Sequence, residues 1–178
     1  MKSITHCISI KEPWASLITS RQKTLEYRSR KLIARAPETI AIATSKAGAG
    51  DYLPGGCIVG VARISAVVPW CDDNRDFWER AAMLDGYDAM LDGEFGGMGG
   101  GYAMMIGGFA ACEPVPVRGQ VGIYRAPEGF EPVYAQDADQ LREWWGSARV
   151  WRNEPKNDDE QALMECMLAY GMGWRIDD

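Results

Sequence analysis

The sequence predicts a β-rich α+β domain, closed into a small barrel, with a helical C-terminal extension. Three observations point there. Apolar, partly β-branched runs recur between glycines and prolines, helical spacing is confined to a few intervening stretches, and strand-like sequence gives way near residue 126 to acidic helix-forming sequence. A chain of 178 residues suits one domain with an appendage, and 47% hydrophobic residues are too many for disorder. The expected division is a barrel over residues 1–126 and an acidic helical extension over 127–178, packed on or beside it.

The elements follow in order. Ser9-Ile10 reads as strand running into a helix, because Pro13 suits a first helical turn and Trp14, Leu17 and Ile18 then share an apolar face. Thr24–Arg28 alternates as a half-buried strand does, with Leu25 and Tyr27 toward the core and Thr24, Glu26 and Arg28 on the other side. Ile40–Ala43 and Cys57–Ile64 read as buried strands, as do Tyr102–Ile106 and Val115–Val117, and Gln120–Tyr124 closes the series. Residues 75–91 have helical spacing and 93–101 form a glycine-rich loop. Ala138–Trp145 and Asp158–Tyr170 read as two helices, the second capped from Asn157.

Several function classes are disfavoured. Five scattered cysteines (Cys7, Cys57, Cys71, Cys112, Cys166) with His6 as the sole histidine support neither a disulfide framework nor a metal site. No cofactor motif is present: the glycine loop lacks the Gly-Lys-Ser/Thr of a phosphate loop and the spacing of a dinucleotide fingerprint. No run approaches the roughly 18 apolar residues of a membrane span, and the start carries no secretory pattern, so a cytoplasmic setting without membrane partners is expected.

Charge is unevenly spread. The net −6 combines +6 over residues 1–35 with −12 over the remainder. An acidic chain repels a long polyanion, which argues against a broad duplex binder but permits a local basic patch around Arg21, Lys23, Arg28, Arg30, Lys31 and Arg35. Within it, strand period places Glu26 and Arg28 on one side, with Lys23 in the turn leading in. Such a group can hold phosphate with its cations while the carboxylate accepts from a base amino group, or support acid–base work. A surface ion-pair ladder accounts for the same pattern. Trp144-Trp145 reads as either an aromatic platform or packing of the extension.

Ile8–Ile18, followed by Lys23-Thr24-Leu25-Glu26-Tyr27-Arg28, resembles the opening of the ASCH domain family (activating signal cointegrator homology), a PUA-like β-barrel family with the signature Gly-x-Lys-x-x-Glu-x-Arg. The likeness continues through Ile40–Ser45, Gly56–Ala62, Gly101–Met105 and Val117–Ile123, covering about residues 4–126. It implies a cleft lined by Lys23, Glu26 and Arg28. Arg21 stands where the signature has glycine, so the turn is expected to differ or to supply another phosphate contact.

The resemblance implies an RNA-associated module. The leading expectation is a basic cleft for single-stranded RNA or a nucleotide or nucleoside: Lys23 and Arg28 on phosphate, Glu26 on a base N–H, Trp14 or Tyr102 against the base, and Ser45 and Lys46 reaching the same cleft. For Trp14, core packing is the structural alternative. A second expectation is a hydrolase, an amidohydrolase on a modified nucleoside or a single-strand ribonuclease, with Lys23 as base and Glu26 assisting. The amidase branch of the family uses Lys-x-x-Thr, and Glu26 occupies that threonine position. A third is a protein-interaction adaptor whose partner docks on the acidic extension.

Overall fold

The computed structural model describes residues 3–28, 36–46, 51–69 and 101–172. The expected helix at 75–91, most of the glycine loop, and Arg30, Lys31, Arg35 and Cys71 lie outside the described residues.

One six-stranded sheet organises the chain: β1 (His6–Ile10), β2 (Leu25–Arg28), β3 (Glu38–Thr44), β4 (Cys57–Pro69), β5 (Tyr102–Pro116) and β6 (Ile123–Arg125), in spatial order β2-β5-β4-β3-β1-β6. The β1–β3 pair is parallel and all other pairs are antiparallel. A parallel pair needs a crossover. Here it contains α1 (Trp14–Thr19) and β2, which leaves β1 near one edge of the sheet and joins β5 at the opposite edge. Register shifts between Ile58 and Gly60, and on either side of Ile64, interrupt the long β4–β5 ladder. Such bulges increase local twist, and the sheet curls into a half-barrel.

Two expected strands, Tyr102–Ile106 and Val115–Val117, are parts of a single 15-residue strand, β5. Its middle, Gly107-Gly108-Phe109-Ala110-Ala111-Cys112, carries a weak alternation signal, yet pairing of Gly108–Ala111 with Gly60–Arg63 of β4 holds it extended. At the other end the expected strand Gln120–Tyr124 shortens to Ile123–Arg125. Gly122, at φ +80°, adopts a conformation that a regular strand does not contain and leaves residues 117–122 as a loop.

The extension forms α2 (Ala138–Trp145), α3 (Arg149–Arg152) and α4 (Asp158–Gly171). Asp137 caps α2 through the Gln140 N–H and Asn157 caps α4 through the Glu160 N–H. Leu141, Trp145, Met167 and Leu168 are buried in the same apolar cluster as Ile8, Ile42, Val59 and Phe109 of the sheet. Trp151 donates its indole N–H to the Tyr52 carbonyl (2.7 Å), and Arg149 pairs with Asp51 (2.9 Å). Trp145 is fully buried and Trp144 packs against the cluster, so this pair works as packing. Because each of these large side chains contributes roughly 1.5–3 kcal/mol by leaving water, a chain ended at Ala126 is expected to lose its cooperative thermal transition. Circular dichroism melting checks this, and a sharp transition in the truncated chain would show a barrel that is stable by itself.

Candidate functional site: a cationic groove beside a buried clasp

Lys23, Glu26 and Arg28 converge as the strand period anticipates, but inside the protein. Lys23 Nζ lies 3.2 Å from Glu26 Oε2, and Arg28 Nη2 lies 3.1 Å from Glu26 Oε1. The Lys23 side chain is only 2% exposed and that of Glu26 12%. Strand pairing explains the burial. Glu26 is in register with Met104, a core residue, and Arg28 with Tyr102, so this side of β2 faces inward. Leu25 on the opposite side is also buried, and β2 therefore has no solvated face at its start. Burial lowers the Lys23 pKa from its ordinary value; the Glu26 carboxylate opposes the shift, and Arg28 adds to it.

Arg28 does more than balance charge. Its Nη2 donates to the Ser9 carbonyl (3.1 Å). Ser9 belongs to β1, near the far edge of the sheet order from β2, so this bond spans the opening that the strand ladder leaves. Together the three charged residues form a clasp closing the half-barrel.

The clasp does not line the main groove, although it holds one of that groove's residues. Ser9, Ser45 and Lys46, residues 55–57 and residues 116–121 line a groove of about 1090 Å³. Lys46 and Arg118 are the charged residues that line it, and among the described residues no acid does. Both cations are exposed, and neither forms an ion pair among the described residues. The Ser45 N–H donates to the Ile10 carbonyl (2.8 Å), which sets the end of β3 beside β1, and Ser9 Oγ hydrogen-bonds Tyr124 Oη (2.8 Å). Gly56 has φ +70°, and a Cβ there would lie 2.8 Å from Lys46 Cε. The lysine stem thus lies over a bare backbone, from which a side chain at position 56 would displace it.

Ser45 and Lys46, expected to reach the cleft of Lys23, Glu26 and Arg28, line this separate groove instead, and Trp14, Tyr102 and Arg21 do not line it. Trp14 opens α1 and packs against the core. Tyr102 is the cross-strand neighbour of Arg28. Arg21 corrects the expectation of a rearranged turn. It keeps the left-handed conformation glycine would favour (φ 59°), and its guanidinium lies 5.4 Å from the centroid of the Tyr170 ring on α4. A left-handed residue with a side chain costs on the order of 1 kcal/mol, which a cation–π contact of similar size offsets.

Sequence reading missed Ser9, Arg118, Gln120 and Val121 as groove residues. Arg118-Gly119-Gln120 was legible as a break in apolar alternation, but it lay within an expected closing strand. His6, without a local partner in the sequence, lies 2.5 Å from Glu38 on the neighbouring parallel strand.

A second hollow, of about 590 Å³, lies between Tyr52 and the start of α4. Its Arg149 is already held by Asp51 (2.9 Å) and Glu160 (2.8 Å), which makes it a seam between loop and extension. Among the described residues no cluster of His, Cys, Asp or Glu could hold a metal, and no helix is long and apolar enough to cross a membrane.

A curled mixed sheet with a helix in its crossover and a groove at one end defines an α+β module of the PUA-like barrel type. The family model of the ASCH domain matches residues 8–107, and the chain belongs to that family. Among solved structures it is similar to the crystal structure of ASCH from Zymomonas mobilis, with 19% identity, a TM-score of 0.56, and coverage of 69% of this chain and 87% of that one. Two variants of that protein, one serine-to-alanine and one tyrosine-to-phenylalanine, align with the same identity and TM-score over 88% and 90% of their chains. At this identity the likeness establishes the fold. A comparison with curated proteins finds no match.

Proposed function

We propose that the chain is a nucleic-acid-binding module that takes a single-stranded segment, RNA in the first place, in the groove between Ser45 and Arg118. One observation carries this reading: on a chain of net charge −6, the groove presents two cations with no acid among the described residues that line it. A Lys and an Arg that share a hollow attract successive phosphates, whereas the acidic exterior repels a long duplex. Lys46 and Arg118 then take the phosphate contacts expected of Lys23 and Arg28, and the clasp holds Ser9 and the groove wall in place. The family's general association with RNA agrees with this assignment.

The hydrolase reading draws on Lys23, whose lowered pKa suits a base. A base must reach its proton, and this amine is buried against Glu26. The adaptor reading loses Trp145 as a contact residue, because it is enclosed in the core.

Titration of a short fluorescent single-stranded RNA at low salt tests the proposal. Lys46→Ala and Arg118→Ala are each expected to weaken binding several-fold and to flatten the plot of log affinity against log salt by about 0.7. Absence of binding by the parent chain at low salt ends the proposal.

A further inference from the structure

Val121 is the apolar residue most completely given to solvent among those described, at 102% relative exposure. It stands on the lip of the groove in the same short loop as Arg118 and Gln120. Gly122 follows at φ +80°, with open space for 4 Å around the position a Cβ would take, and it turns the chain so that the valine projects without support. The side chain is β-branched and therefore holds few rotamers, so an apolar contact made by it loses little entropy.

An apolar knob beside a cation at the mouth of this cationic groove matches a ligand that alternates charged links with flat apolar faces. Single-stranded nucleic acid has that pattern, whereas in a duplex the base faces are covered by their neighbours. We propose that Val121 is the base-contacting residue of the groove, packing on an unstacked nucleobase while Arg118 holds the adjoining phosphate. Gln120, exposed next to it, offers an amide to that base's edge. This rests on the groove reading above, and it adds selection of single strands over duplexes, which the two cations alone do not provide.

The test compares three probes: a short single-stranded RNA, the same strand made abasic, and the strand annealed to its complement. Val121→Ser is expected to weaken binding of the base-bearing strand about five-fold, the size of a lost apolar contact, and to leave the abasic and duplex probes unchanged. Val121→Leu should retain the parent affinity. Because the Val121 side chain is fully in solvent, melting temperatures should agree among the variants. Equal loss on the abasic strand, or no loss on the base-bearing one while Lys46→Ala still weakens it, overturns the base contact and leaves the groove reading intact. A parent chain that binds none of the probes overturns both.

Discussion

Glu26→Ala is expected to destabilise the protein by about 3 kcal/mol, because it removes the anion between two largely buried cations. For a chain of this size the melting temperature falls by roughly 6–12 °C. Lys23 Nζ and Arg28 Nη2 then lose the carboxylate that bridges them, and the bond from Arg28 to Ser9 loses its anchor. Adding Lys23→Met to Glu26→Ala should recover much of the loss, since one buried charge disappears and an apolar side chain fills its space. A single substitution that shifts the melting temperature by less than about 2 °C would mean that the three residues are solvated and form no clasp. The double substitution also separates closure of the barrel from ligand contact: recovered stability with unimpaired RNA affinity places phosphate binding elsewhere, at Lys46 and Arg118.

Stability should also fall as pH rises toward neutrality, and Glu12 is the cause. Its carboxyl lies at the foot of α1, where Oε2 accepts from the Ser16 N–H (3.2 Å) and hydroxyl, and burial raises its pKa to about 7 from 4.5. The Ser16 bonds and a backbone bond from Leu53 pull the value down, and nearby Asp51 adds a little upward. Between pH 4.5 and 7 the folded chain holds a proton at Glu12 that the unfolded chain has released. Stability from this group is therefore complete below 4.5 and lost as pH climbs through 7, at roughly 1.4 kcal/mol per pH unit and about 3 kcal/mol in all. Glu12→Gln keeps the acceptor oxygen without a titrating proton. Denaturant midpoints measured from about pH 4.5 to 8 should decline for the parent chain and flatten for the variant, and parallel profiles would refute the assignment.

The clasp shows how far a sequence pattern reaches. Alternation over Thr24–Arg28 placed Glu26 and Arg28 on one side of a strand, and the likeness to the ASCH signature marked the same residues as the lining of a cleft. Alternation put Leu25 and Tyr27 toward the core and Glu26 opposite them, yet Glu26 is buried and Tyr27 only half-buried, because alternation alone does not fix which side of β2 is wet. That depends on what β5 brings opposite it, and Met104 brings the core. Lys46 was legible for the converse reason: it follows a buried strand directly, where a charged side chain has to leave the interior. Arg118 and Val121 were hidden inside an apparent strand, because a glycine at positive φ reads in one dimension as a small residue within an apolar run.

By itself the sequence determined the elements that rest on local periodicity and capping: β1 leading into α1, the buried runs of β3 and β4, α2, and α4 with its Asn157 cap. It also determined the family, since ordered motifs survive independently of how strands pair. Only the tertiary structure decided that Lys23, Glu26 and Arg28 close the barrel while Lys46 and Arg118 face a groove. Period and charge fix a side chain's direction relative to its own strand, whereas burial is a property of what the sheet's curl brings against it from more than a hundred residues away in the case of Tyr124 and Ser9.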